Sequence, residues 1–489
     1  MRRLPWRRCE PIEARTIEAA SERRVNTVVL MRWVLALSFL LVGCVSRVLQ
    51  LHPFTGDTFT IGEPVEPRGK PLGPFSGDET ERFAQLLERW RPHLDRARIP
   101  GGAIAIVLDG HLRLSAGIGV REAGHDAPVT ATTRFRTASI TKMLMAAAIL
   151  TLAADGLVAL DAPVTRYLPS FTRAEGDDPS AVTLEMLLTH SDGLGDIVHC
   201  PDGASLAETF AMHERDHYWA PPGRLFDYSN FDYALLAAVI EQVTGRRFED
   251  VVVERMLAPS GMRTASFEAD VDDEGARGHL GGRVVWTHPV DCEASRAAGG
   301  VIASVQDFAH FTEVLLAGGG GVLSSSAVTA MTTGRVRMQT TPLSRYGYGI
   351  VEREHAGLRT LEHGGFAYGM SSIVRIVPSR GFAVVAFANG PMQLARLANA
   401  AESAFLGVTE EPDAPSPATR LEDYVGVYDD PFGWLGRFEV FLDGRALRAR
   451  FEHPRGPIPG QLAVEFERDA NGVVEYAVTR NGIGRRVAE

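Results

Sequence analysis

The spacing of apolar positions changes character several times along the chain. Over Glu79–Leu94 (ETERFAQLLERWRPHL) they recur at helical spacing and predict a helix. Two apolar runs follow, Ala103–Leu108 and Leu112–Ile118, split by Asp109-Gly110, a dipeptide suited to a tight turn, so a β-hairpin is expected. Ser139–Asp155 is rich in Ala, Leu and Met and is closed by Gly156, which predicts a long helix; Tyr233–Val243 predicts another. Late in the chain Met370–Val377 and Phe382–Asn389 form a strand pair across Pro378-Ser379-Arg380-Gly381. Strands at both ends with helices between them imply an α+β domain whose terminal strands share one antiparallel sheet flanked by helices.

Breaks in this patterning suggest the domain boundaries. His52–Gly77 is rich in Pro and Gly without period, and Val408–Thr419 (VTEEPDAPSPAT) carries three prolines and three acids. The expected organisation is a leader over 1–44, a tether over 45–77, one large domain over 78–407, a linker over 408–419 and a β module over 420–489. In that last segment Phe438–Leu442 and Ala446–Arg450 flank Asp443-Gly444, while Val464–Arg468 and Val473–Val478 flank Asn471-Gly472. A small β-barrel or sandwich is expected there.

At the N-terminal end, Arg32 precedes the apolar run Trp33–Val42, about half the length needed to cross a bilayer. The run ends in Leu41-Val42-Gly43-Cys44, which resembles a bacterial lipobox. The expectation is therefore a signal peptide, export to the cell envelope or periplasm, and a lipid anchor at Cys44; a plain signal anchor is the alternative. Met31, just before the run, is an alternative start. Either reading permits a Cys200–Cys292 disulfide.

Composition narrows the chemistry. A net charge of −11 over 489 residues argues against nucleic acid as the main partner and says nothing sharper about partners. The four cysteines form no CxxC and no cluster with histidine at metal-ligand spacing, so no zinc site is expected; metal and cofactor are both expected to be absent from the chemistry. Gly62–Lys70 has the wrong spacing for a phosphate loop, and the calcium-loop-like start at Asp270 reaches Gly281 where a glutamate is needed. Of the 50 basic residues only Lys70 and Lys142 are lysines. Arginine keeps its proton at neutral pH and lysine can give one up, so a lysine retained inside an apolar helix suggests proton chemistry.

Three short motifs gather around that lysine. In Ser139-Ile140-Thr141-Lys142 the first and last residues share a helix face, which brings an amine near a hydroxyl. The neighbours Met143, Leu144 and Met145 disfavour charge and make the amine a credible proton acceptor. Tyr228-Ser229-Asn230 precedes an apolar helix and supplies a phenol for proton relay and an amide that can hold a carbonyl or orient the lysine. His363-Gly364-Gly365-Phe366 lies just before a strand, where glycines let substrate approach the backbone. Each motif alone is weak.

Their order, nucleophile helix, then Tyr-x-Asn about ninety residues on, then His-Gly-Gly, resembles the serine β-lactamase and penicillin-binding superfamily, in particular its class C-type branch of β-lactamases, D-Ala-D-Ala carboxypeptidases, D-aminopeptidases and esterases. Further stretches support it: Leu187–Leu194 (LLTHSDGL), Pro221–Gly245, Ala297–Phe311 and Tyr346–Ile350. The resemblance implies a helical subdomain beside the sheet and an acyl-enzyme mechanism. It casts Ser139 as nucleophile, Lys142 as activating amine, Tyr228 as general base and Asn230 as anchor for substrate and lysine. His363 becomes the counterpart of a third-motif lysine, the amides of Ser139 and Phe366 the oxyanion hole, and Gly364 and Gly365 the substrate edge. Ser191-Asp192-Gly193 is a rival second motif but lacks the amide side chain. Histidine in place of the third lysine weakens the case for a β-lactamase and favours peptidase, amidase or esterase activity on small esters, amides or D-amino-acid peptides. A β-lactamase and a penicillin-binding sensor without turnover stay open. Phe366 suggests an apolar substrate.

Overall fold

The computed structural model describes residues 59–61, 74–196, 200–267, 274–285, 292–338 and 344–408, and from 421 to 487 mainly the strands. Everything described falls within one compact unit, Thr58–Glu489. The leader with Cys44, and the linker from 409 onward, lie outside the described residues.

The large domain is built on an eight-stranded antiparallel sheet. Its strands are β1 (Gly101–Leu108), β2 (His111–Gly119), β3 (Val336–Arg337), β4 (Arg345–Tyr346), β5 (Val351–His355), β6 (Leu358–Ala367), β7 (Met370–Val377) and β8 (Phe382–Ala388). They run in the order β2-β1-β8-β7-β6-β5-β4-β3, so the first hairpin closes against the last strand. β1, β7 and β8 are buried at every position, because helices cover both faces. Alternate residues serve different cores. Ile104, Ile106, Val384 and Ala386 pack with the terminal helices α1 (Glu79–Ala97) and α6 (Ala395–Leu406), while Ala103, Ala105, Val385 and Phe387 face the larger core. The two-residue period of a strand divides one apolar run between two layers.

Four more features set up the interior. Asp78 and Glu81 form a capping box that starts α1. α2 (Thr141–Ala154) is apolar on all sides and packs against α3 (Asn230–Thr244) and α4 (Glu293–Gly299). α5 (Val305–Leu316) covers β1, β2 and β8. The disulfide that the sequence left open is present, joining Cys200 to Cys292 with Cα atoms 6.2 Å apart. Among the described residues no helix is long and apolar enough to cross a membrane.

The C-terminal segment forms a second eight-stranded sheet, with Tyr428, Phe438 and Phe451 stacked on one face at ring separations of 5.4 and 5.2 Å. One of its strands comes from elsewhere. Phe59–Ile61, inside the expected tether, pairs antiparallel with Ala446–Phe451 and parallel with Gln461–Leu462. The tether reading is corrected at these three residues: Phe-Thr-Ile is strand-forming sequence, and the two strands of the module beside it offer unpaired backbone groups.

Candidate active site

Ser139 lies in a 3-10 turn, Ala138–Ile140, that runs directly into α2, whereas the helix was expected to begin at Ser139 itself. The turn is tightly held. Thr137 donates to the Val301 carbonyl through both its amide (3.0 Å) and its hydroxyl (2.7 Å), and Ser372 Oγ donates to the Thr137 carbonyl at 2.6 Å. Ala138 adopts φ +51°, a region a non-glycine residue occupies at a cost, immediately before the serine.

Lys142 is fully buried. Its Nζ donates to Asn230 Oδ1 at 2.7 Å, to the Ala298 carbonyl of α4 at 3.0 Å and to Ser139 Oγ at 3.5 Å. The rings of Tyr228 and Tyr233 lie 4.8 and 5.3 Å from the same nitrogen. The amine is thus held by two fixed acceptors and two aromatic faces, with the serine hydroxyl as its third neighbour. That arrangement can shuttle a proton to and from Ser139.

β6 borders the serine on the other side. A Cβ placed on Gly365 would sit 2.9 Å from Ser139 N, 2.6 Å from the Thr137 carbonyl and 2.4 Å from Ser372 Oγ. Only glycine allows this approach, and it brings the strand segment ending in Phe366 alongside the Ser139 amide. The Phe366 side chain is 58% exposed, apolar surface available to a ligand. His363, by contrast, is only 5% exposed. Its Nδ1 is 2.7 Å from the Gly364 carbonyl, which can only accept, so Nδ1 carries the proton; Nε2 is 2.9 Å from the Tyr346 hydroxyl. The imidazole therefore braces Tyr346 inside the protein. Ser191 and Asp192 are buried too, with the Ser191 hydroxyl 2.9 Å from that of Thr189 and Asp192 accepting from the Leu194 amide. The rival second motif is not in contact with Lys142 through any of these bonds.

Two features were not singled out in the sequence. Asp196 grips Asn230 twice, Oδ1 accepting from its amide at 2.6 Å and Oδ2 from its Nδ2 at 3.1 Å. Behind Tyr228 lies a buried polar cluster. The His190 ring is 4.5 Å from that of Tyr228 and 4.9 Å from that of Tyr346, and its Nδ1 is 2.5 Å from Asp232 Oδ2. Burial pushes His190 well below the usual imidazole range, helped by Lys142 and His363, and pushes Asp232 well above the usual carboxylate range, helped by Asp192. Both shifts disfavour the charged forms, so burial works against an ion pair at this short contact. An acid in the otherwise apolar helix NFDYALLAAV was the one available signal.

Burial also raises Asp192 to about 6. A carboxyl that binds its proton more tightly folded than unfolded stabilises the fold fully below the unfolded value, near 3.8, and that contribution is lost as pH rises through about 6. Wild type should therefore lose on the order of 2 kcal/mol relative to Asp192→Asn between pH 4 and pH 7. Urea titrations of both proteins at the two pH values measure this, and a constant difference would refute it.

Comparisons with known proteins agree with this architecture. Residues 83–408 match the family model described as Beta-lactamase. A D-aminopeptidase of Cereibacter sphaeroides is 29% identical over 374 residues, covering 74% of this chain and 69% of that protein. Esterase EstB of Burkholderia gladioli is 34% identical over 212 residues, 40% of this chain and 53% of the esterase. The crystal structure of SurE with D-Leu, 24% identical, superposes with a TM-score of 0.67 over 84% of this chain and all of that one, a likeness of fold. With two thirds of its length matched and a sheet, nucleophile turn and buried lysine of the expected kind, the chain belongs to the Beta-lactamase family.

Proposed function

We propose that the protein is a serine hydrolase that works through an ester on Ser139, with amides or esters of D-amino acids as its substrate class. The observation that carries this reading is the placement of Lys142 Nζ between Asn230 Oδ1 and the Ala298 carbonyl, facing Ser139 Oγ. In the neutral form the amine takes the hydroxyl proton as Oγ attacks the substrate carbonyl. The developing oxyanion is met by the amides of Ser139 and Phe366, and a proton returns to the leaving group by way of Tyr228. Water then repeats the sequence on the acyl-enzyme and releases the acid.

The substrate class rests on two supports. The D-aminopeptidase relative covers most of the chain, and His363 is buried and engaged by Tyr346 and the Gly364 carbonyl rather than exposed to a substrate carboxylate. The exposed Phe366 and the esterase relative favour a second reading, hydrolysis of apolar esters. A panel of D-amino-acid p-nitroanilides, the L-enantiomers, p-nitrophenyl esters, D-Ala-D-Ala peptides and nitrocefin separates these. Faster turnover of D- than L-anilides supports the first reading, while ester turnover without stereochemical preference supports the second. A stoichiometric burst without turnover would instead mark a penicillin-binding protein that does not release its acyl group.

Export and lipidation at Cys44 belong to the same proposal. The apolar run before Cys44 and the Cys200–Cys292 disulfide, a bond at home in oxidising compartments, support them. Expressed in a bacterial host, the full chain should fractionate with membranes and the Cys44→Ala variant should not; equal fractionation would remove the anchor.

A further inference from the structure

Resting on the proposed role of Lys142 and Asn230, we infer that Asp196 is a positioning residue, whose carboxylate fixes which end of the Asn230 amide faces the lysine. An amide side chain can be turned end for end at almost no steric cost, exchanging an acceptor for a donor. Here the two orientations are not equivalent. With Oδ1 toward Lys142, the lysine donates to it at 2.7 Å and Nδ2 donates to Asp196 Oδ2 at 3.1 Å. Turned over, Nδ2 would meet the donating lysine and Oδ1 would meet a carboxylate oxygen, so both contacts would become repulsive.

Asp196 itself cannot turn away without loss, because its other oxygen accepts from the Asn230 amide at 2.6 Å, at the positive end of the fifteen-residue helix α3. Ser229 is the N-cap and takes the Phe231 amide, while the one carboxylate of Asp196 satisfies the first helical amide and reads the orientation of the first side chain on the helix. The amide in turn holds the lysine nitrogen within reach of Ser139 Oγ, the 3.5 Å contact on which proton transfer depends.

Satisfying that amide and positioning the side chain differ in what they require of residue 196. The amide needs only one acceptor, which asparagine provides. Positioning needs two acceptors, and asparagine reverses the signal: once its Oδ1 takes the Asn230 amide, its Nδ2 faces the Asn230 side chain and favours the turned-over amide, which points Nδ2 at Lys142. Alanine removes the constraint without imposing the wrong one.

The test compares acylation of Asp196→Asn, Asp196→Ala and wild type with a p-nitrophenyl ester, together with Tm. The inference predicts that Asp196→Asn keeps a Tm close to wild type, acylates roughly a hundredfold more slowly with KM within about threefold, and is no faster than Asp196→Ala. An Asp196→Asn variant that acylates like wild type, or that is clearly faster than Asp196→Ala, would show that the residue only satisfies the helix amide. If wild type itself forms no ester on Ser139, the proposed function fails first, and that outcome is read from wild type alone.

Discussion

Replacing Lys142 with alanine should slow acylation of Ser139 roughly ten-thousand-fold or more, and arginine should not rescue it. Alanine removes the proton acceptor and leaves Asn230 Oδ1 and the Ala298 carbonyl without their donor. Arginine keeps a cation at the site, yet its guanidinium does not release a proton near neutral pH and its planar fork is bulkier than the amine that Lys142 buries. The comparison therefore separates charge from proton transfer. If charge alone mattered, Lys142→Arg would retain more activity than Lys142→Ala. Single-turnover acylation by a p-nitrophenyl ester, with circular dichroism to establish folding, measures the effect. Acylation within tenfold of wild type in either variant would contradict the role assigned to the amine.

Gly365→Ala should cost roughly a hundred- to a thousandfold in kcat/KM. The added methyl group would collide with Ser372 Oγ, the Thr137 carbonyl and the Ser139 amide at 2.4, 2.6 and 2.9 Å. Two of these are backbone atoms, so β6 must move away from the nucleophile turn, and the Ser372–Thr137 hydrogen bond that pins the turn must break. A shift of that size displaces the two amides that would share the oxyanion. Gly364 provides the control, because a Cβ there meets nothing closer than the Ser372 carbonyl at 3.6 Å. Gly364→Ala should stay within a few-fold of wild type. Equal losses in the two variants would mean that the glycines matter for strand geometry in general and not for the approach to Ser139.

Much of this site was legible in the residues, for identifiable reasons. Local periodicity revealed the first hairpin, the buried helix after Ser139 and the β7–β8 pair, since strand and helix repeats are properties of neighbouring residues. A lysine at i+3 from a serine is likewise a local fact, and the rarity of lysine in this chain made it conspicuous. What the sequence concealed depends on contacts between distant segments. Asp196 and Asn230 are 34 residues apart, and nothing in LLTHSDGLGD marks the last acid as the one that grips an amide. His363 was read as a group facing substrate because its motif position suggested so; the Tyr346 hydroxyl that occupies it lies on another strand. Phe59–Ile61 is too short to show a period, and its partners lie almost four hundred residues away. His190, Asp192 and Asp232 carry side chains usually found at surfaces, and only the fold buries them together.

Whether Ser139 forms a covalent adduct, and does so through Lys142, is tested most directly by intact-mass and peptide-mapping analysis of the protein after reaction with a fluorophosphonate. One adduct per chain, confined to Ser139, absent from Ser139→Ala and formed far more slowly by Lys142→Ala, is the expected result. An adduct on another residue, or labelling of Lys142→Ala at the wild-type rate, would contradict it.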